Sequence, residues 1–386
     1  MRILLVYDCL FPHTIGGGER WYRNLAGRLV ADGHDVTYLT LRQWDRGTGP
    51  ELPGIAVCTA GPRMALYVGD RRRIAPPLVF GAGVLWHLLR RGRRYDVVHT
   101  ASFPFFSLLA AALVRPLHRY GLVVDWFELW SREYWHDYLG PRAGRVGWAV
   151  QRLCLRVPQR AFTLARSTAQ RLRAGGVHGD VEVLTGLQDV APATGPPRAA
   201  QPLVVFAGRH IPEKRVPALV RGFSALRERA PELRLVIYGD GPDRAKVLAL
   251  IDDEGLGDVA CAPGFVDRDE LEDALAGALC MVLPSRREGY GLVVVEASAL
   301  GVPSVVVAHP DNAATELVDE GENGFVAASA EPEEIANAIL RVRAAGEPLR
   351  QSTAAWFERN RERLSLTSSL DRVAAAYADP RRIARS

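Results

Sequence analysis

Four side chains in the second half of the sequence have the types and spacing for one kind of chemistry. Glu288 and Glu296, with seven residues between them, stand in the stretch Pro284 to Pro303, PSRREGYGLVVVEASALGVP. An apolar run, Cys280 to Leu283, leads in, and a polar, glycine-punctuated turn follows. Leu292 to Leu300 then carries apolar residues at helical spacing up to a Gly and a Pro, so the pattern predicts strand, loop and helix. Glu296 falls about one and a half turns into that helix, within reach of a ligand that the loop also touches. The backbone N–H groups of Gly289, Tyr290, Gly291 and Leu292 open the helix without intrahelical partners, and such an end attracts phosphate. Carboxylates do the opposite, repelling phosphate and accepting hydrogen bonds from hydroxyls. Phosphate donors flanked by two hydroxyl acceptors point to a nucleotide sugar.

Phe206 to Val216, FAGRHIPEKRV, supplies the matching cations. A strand ends at Ala207, Gly208 permits a tight turn, and Arg209 and Lys214 stand five positions apart at either end of a short loop. Such a pair can close on one diphosphate, Arg as a fork and Lys as a point charge, or simply cap a surface turn. As a glycosyl bond breaks, negative charge builds on the departing diphosphate, and fixed cations stabilise that state more than the ground state. In the first half, YDCLFPHTIGGGER leaves the first strand with three glycines ahead of a helix expected from Glu19, which lets a ligand approach the backbone. This is not a GxGxxG fingerprint, so dinucleotide binding is disfavoured. Val123 to Trp135, VVDWFELWSREYW, interleaves Asp125 and Glu128 with five aromatics, a composition that suits carbohydrate stacking or a plain core.

These side chains need strands and helices to hold them. The chain alternates strand-like and helix-like stretches in both halves, with strands expected at Ile3 to Tyr7, Val36 to Thr40, Ile55 to Cys58, Asp96 to Thr100, Leu122 to Trp126, Ala161 to Ala165 and Val181 to Leu184. Residues 191–201, APATGPPRAAQ, read as a linker. Strands resume at Leu203 to Ala207, Leu233 to Tyr238, Val259 to Ala262, Cys280 to Leu283, Ser304 to Ala308 and Phe325 to Ala327, and two helical stretches follow from about 331 to 378. That alternation predicts an α/β protein with two doubly wound parallel sheets, ligands sitting beyond the carboxyl ends of the strands.

Composition agrees. A chain of 386 residues, 48% of them hydrophobic, suits two globular domains. Five cysteines without a CxxC pair, and an apolar start that ends at Asp8, read as buried thiols in the cytoplasm and as a first strand in place of a signal peptide. The net charge of +4 is uneven: residues 1–201 hold 26 arginines, no lysine and 15 acids, about +11, leaving about −7 for the rest. RRR at 71–73 and a stretch with Leu85, Trp86, Leu88 and Leu89 followed by Arg90, Arg91, Arg93 and Arg94 fit either an anionic bilayer surface or a packed helix with a solvated end. No nucleic-acid-binding motif accompanies the charge. Asp267 and Asp269 spell an Asp-x-Asp, but they open a helix, where acids are expected, so no metal site is assigned.

Together, the string PSRREGYGLVVVEASALGVPSVV and the Arg209/Lys214 motif resemble the signature of retaining glycosyltransferases of the GT-B fold, family four (glycosyl transferases group 1). The resemblance covers nearly the whole chain, most closely 203–330. It implies two Rossmann-like domains facing across a cleft: an acceptor-side domain over 1–190, the linker, a donor-binding domain over 202–365, and a C-terminal helix in 366–386 that crosses back before the tail. It implies transfer of a sugar from a nucleoside diphosphate to an acceptor hydroxyl on a glycan, a lipid-linked or a secondary-metabolite acceptor, with no metal or other cofactor. Gly17, Gly18, Gly208, Arg209, Lys214 and the 289–292 backbone would hold the diphosphate, Glu288 the sugar hydroxyls and Glu296 the ribose. Tyr238 and Gly264 to Val266 would line the base. Acceptor-side candidates are His13, His99, Asp125 and Glu128. Relatives carry a histidine in a WHE-like string where this chain has Phe127, and an Asn-Gly-Val-Asp-like turn where it has TGLQDV with only Asp189 retained. The first departure leaves a non-catalytic sugar-nucleotide-binding protein as the alternative.

Overall fold

In a computed structural model, which describes residues 1–14, 16–45, 47–68, 71–187 and 195–377, the chain forms two compact units. One comprises Met1–Thr185 with the segment from Thr367 onward, the other Gly186–Leu366. Asp189, residues 191–194 of the expected linker and the tail beyond 377 lie outside the described residues.

The first unit is a seven-stranded parallel sheet: β1 (Arg2–Val6), β2 (Asp35–Thr40) and β3 (Ile55–Thr59) on one side, β6 (Val97–Ala101), β7 (Gly121–Trp126), β8 (Arg160–Thr163) and β9 (Val181–Val183) on the other. Its order is β3-β2-β1-β6-β7-β8-β9, and a two-stranded antiparallel ribbon, β4 (Tyr67–Val68) and β5 (Arg71–Arg72), stands apart. Parallel strands need crossovers, here helices α1 (Gly17–Ala31), α2 (Ala75–Arg91), α3 (Phe106–His118), α4 (Arg132–Leu155) and α5 (Arg166–Ala174). In α1, Trp21, Tyr22, Leu25, Ala26 and Leu29 recur at helical spacing and are the residues it buries.

The second unit is a six-stranded parallel sheet ordered β12-β11-β10-β13-β14-β15. Its strands are β10 (Leu203–Ala207), β11 (Arg234–Tyr238), β12 (Ala260–Gly264), β13 (Cys280–Leu283), β14 (Ser304–Val307) and β15 (Gly324–Ala327). Helices α6 (Val216–Leu226), α7 (Arg244–Asp253), α8 (Arg268–Gly277) and α9 (Leu292–Ala299) connect them, and α10 (Pro332–Leu364) follows β15. The last helix, α11 (Leu366–Tyr377), belongs almost wholly to the first unit. Strands buried on both faces read as continuous apolar runs, which is why Cys280–Leu283, all four buried, coincides with its sequence reading. One boundary differs. Helix α1 begins at Gly17, not Glu19, because Gly16 takes the extended N-cap position (φ −170°), so Gly17 and Gly18 form its first turn instead of a preceding loop.

Candidate functional site

Each sheet has one place where the strand order reverses, between β1 and β6 in the first unit and between β10 and β13 in the second. There the chain leaves neighbouring strands toward opposite flanks and opens a crevice at their carboxyl ends. The candidates cluster at these exits.

In the second unit the loop after β10 carries Arg209 and Lys214, and the loop after β13 carries Ser285 to Gly291. Lys214 and Glu288 meet directly, Nζ of the lysine on Oε1 of the glutamate, and the Ser285 hydroxyl donates to the same oxygen at 2.7 Å. The two loops are also joined through the backbone, the Arg286 N–H donating to the Glu213 carbonyl at 2.8 Å. On its other side Glu288 is pinned to the exit of β14: its N–H donates to the Asp311 carbonyl at 3.0 Å, and its carbonyl accepts from the Ala313 N–H at 3.1 Å. Buried Asn312 secures that seam, its Nδ2 donating to the Ser285 carbonyl (3.1 Å) and the Val307 carbonyl (2.8 Å). Ser285 and Asn312 escaped the sequence reading; the only signal for Asn312 is its capping type ahead of a helical turn. Arg209 is exposed, and among the described residues its guanidinium has no partner.

Helix α9 opens at Gly291, whose φ of 98° and a Cβ position only 2.6 Å from the Ala314 Cβ require glycine. Its first-turn N–H groups face out of the helix end. Tyr290 is buried, and burial raises its phenol pKa. Glu296 is half-buried and lines a cavity of about 50 Å³ with Arg268, Leu271, Glu272, Leu275 and Leu300. The neighbouring strand exits form a row: the Gly208 N–H donates to the Tyr238 carbonyl at 3.1 Å, and the Gly239 N–H to the Gly264 carbonyl at 2.8 Å. Beyond Gly264 stand half-buried Val266 and Phe265, which is 81% exposed and which the sequence reading passed over within its Gly264 to Val266 span. Next to Arg209, His210 is fully buried and burial lowers its pKa, which keeps it neutral at pH 7. Asp267 caps α8 by accepting from the Glu270 N–H at 2.9 Å, which accounts for the Asp-x-Asp.

The first unit's reversal point is built differently. Gly17 has open space where a side chain would stand, whereas a Cβ on Gly18 would lie 2.4 Å from the Tyr7 hydroxyl and 3.5 Å from the Phe127 ring. Phe127 also packs edge-on against Tyr22. His13 is exposed, 5.4 Å from the Trp44 ring. Glu128 is half-buried, and its Oε2 accepts from Trp130 Nε1 at 2.9 Å. Trp126, Tyr134 and Trp135 are core residues.

His99 and Asp125 are corrected by the structure as acceptor contacts. They are 0% and 2% exposed, and their polar atoms face one another and the core. His99 Nε2 lies 3.0 Å from Asp125 Oδ1, Trp21 Nε1 donates to Asp125 Oδ2 at 2.8 Å, and His99 Nδ1 meets the hydroxyl of Tyr377 on α11. Burial holds the phenols of Tyr22 and Tyr377 well above their ordinary pKa, with the Asp125 charge adding to it. The cluster anchors the C-terminal helix to the first unit's sheet.

The arrangement in the second unit can exchange partners. A diphosphate arriving between Arg209 and Lys214 competes with Glu288 for the ammonium, and a displaced Glu288 carboxylate is left to accept hydroxyls.

A family model described as glycosyl transferases group 1 matches residues 191–356, and one described as glycosyltransferase family 4 matches residues 15–186. The chain is 32% identical over 142 residues to an alpha-D-kanosaminyltransferase of Streptomyces kanamyceticus, a match covering 37% of this chain and 36% of that enzyme. Across the first curated relatives the matched stretch spans about a third to a half of the relative's length. Among solved structures, sucrose-phosphate synthase from Thermosynechococcus elongatus superposes with a TM-score of 0.78 at 19% identity, covering 98% of both chains. The Anabaena protein HepE in complex with UDP gives 0.73 at 18% identity, covering 98% of this chain and 100% of that one. These likenesses extend over both units and fix the fold as two Rossmann-like domains of the GT-B type.

Proposed function

The chain belongs to the group 1 glycosyl transferases, and on that premise we propose that it moves a sugar, with retention, from a nucleoside diphosphate to an acceptor hydroxyl. The observation that carries this reading is the Lys214–Glu288 pair at the β10/β13 reversal with Arg209 unpartnered beside it. Arg209, Lys214 and the first turn of α9 hold the diphosphate and take up the charge it gains as the glycosyl bond breaks. Glu288 accepts the donor sugar's hydroxyls, Glu296 those of the ribose, and the exits at Tyr238 and Val266 bound the base. The first turn of α1, with Gly17 exposed and Gly18 half-buried, would offer a second set of N–H groups to phosphate.

The family resemblance offers no protein nucleophile on the far face of the sugar, so attack is read as coming from the face the diphosphate leaves, the departing phosphate oxygen taking the acceptor's proton. The protein contributes orientation and charge. The reaction is read as metal-independent and the enzyme as cytoplasmic, in keeping with five free thiols. Phe127 in place of the family's histidine is the one observation that favours binding without transfer.

A panel of UDP-, GDP- and dTDP-sugars in EDTA, read by melting temperature and by released sugar, tests the reading. One nucleotide class should raise the melting temperature, and its sugar should be slowly released to water or moved to an added acceptor. Stabilisation without any release, whatever the acceptor, favours the binding protein. Absence of stabilisation by every nucleotide overturns the donor site.

A further inference from the structure

Helix α2 buries one face and leaves a second apolar face uncovered. Pro77, Phe80, Val84 and Leu88 point inward. Ile74 just before the helix, then Leu78, Trp86 and Leu89, are each between 46% and 60% exposed. On α3, Leu113 and Leu117 are 69% and 63% exposed. The two helices run side by side in the same direction, because a Cβ on Gly81 would touch the Phe106 Cβ and one on Gly92 would touch the His118 ring, both at under 2.5 Å. Trp86 and Leu89 therefore stand at the same height as Leu113 and Leu117, and the outer faces form one surface. A contiguous exposed apolar surface on a folded protein marks a binding face.

Charge identifies what it binds. Between Asp70 and Asp96 the sequence holds seven arginines and no acid. Arg90, Arg91, Arg93 and Arg94 follow the stripe at its C-terminal end, all exposed and, among the described residues, none with a carboxylate partner; Arg91 and Arg94 border a cavity with Arg2, Asp35 and Tyr95. The Arg90 guanidinium lies over the Trp86 ring, 3.6 Å from its centroid. Some exposed arginines elsewhere are paired, as Arg343 is with Glu232 and Arg359 with Glu322, but the run at 90–94 places four side by side with no acid within it. We propose that the outer face of α2 and α3 docks on an anionic lipid surface, the Ile74-to-Leu89 stripe with Leu113 and Leu117 entering the headgroup region and the arginine cluster meeting lipid phosphates. A flat apolar stripe edged by charge of one sign has the chemistry of an interfacial helix.

Sedimentation with vesicles reads this without donor or acceptor, so it stands or falls separately from the transferase reading. Phosphatidylcholine vesicles with about a third phosphatidylglycerol should pull the protein down at 0.1 M salt, and phosphatidylcholine alone should not. The exposed pair Leu89→Ser with Leu117→Ser should weaken partitioning at least about tenfold with the melting temperature unchanged. Arg93→Gln with Arg94→Gln should cost on the order of tenfold or more, and added salt should mimic it. Failure of the wild type to bind anionic vesicles overturns the proposal, as does equal binding of all variants. A dimer in light scattering that Leu89→Ser with Leu117→Ser dissolves would assign the face to a second copy instead.

Discussion

The two reversal points occupy equivalent positions in two sheets of the same kind, yet they use charge in opposite ways. At β10/β13 the charged groups are half-buried or exposed and stand on loops: Lys214 and Glu288 keep 19% and 10% of their side chains in solvent, and Arg209 is open. At β1/β6 and the adjoining β7 the carboxylate and imidazole, Asp125 and His99, are sealed in the core, one atom of each bonded to Trp21 and to Tyr377 respectively. What remains at that surface is glycine backbone and half-buried aromatic rings, Phe127 and Trp130 among them. The same residue types therefore stand open to a ligand in one unit and locked into the core in the other, and burial decides which.

The comparison can be broken by substitution. The largest effect on stability is expected from Asp125→Ala, which strands His99 and the Trp21 indole inside the core; loss of about 2–5 kcal/mol should appear as a lower denaturant midpoint. Glu288→Gln should do the reverse, lowering turnover by on the order of 10²–10³-fold while the melting temperature stays near that of the wild type. If Glu288→Gln unfolds the protein or Asp125→Ala leaves stability untouched, the division of roles is wrong. Gly18→Ala places a methyl against the Tyr7 hydroxyl and should cost about 1–3 kcal/mol, with Tyr7→Phe recovering part of the loss because it removes the clashing oxygen. Gly17→Ala meets no neighbour and should gain at most about 1 kcal/mol of stability; if the α1 end approaches phosphate, the same change lowers donor affinity.

Much of this could be read from the sequence for one reason. Parallel strands buried on both faces are unbroken apolar runs, so Leu203–Ala207 and Cys280–Leu283 announce themselves, and the polar residues that follow fall at the carboxyl edge where ligands bind. Lys214 and Glu288 could be assigned to one donor site through the resemblance of their two motifs, but the contact between them was not read. What escaped was whatever depends on distant contacts. The role of His99 rests on Tyr377, 278 residues away, and that of Glu288's backbone on Asn312, whose type announces only a cap. Helix α4 went unread because its periodicity breaks at Gly140 (φ 81°) and Pro141 and because its aromatics suited a binding surface as well as a core. The stretch around Trp86 gave both of its alternatives at once, a packed helix inward and an apolar face outward.

The central claim is that the diphosphate is gripped at the β10/β13 reversal, and the chain's two lysines test it. Lys214 stands in that crevice, while Lys246 stands on α7. Calorimetric titration of the preferred nucleoside diphosphate into wild type, Lys214→Ala and Lys246→Ala should show affinity falling about 10–100-fold for Lys214→Ala, the worth of one charge-assisted hydrogen bond, and unchanged for Lys246→Ala. Equal affinity in all three proteins would contradict it.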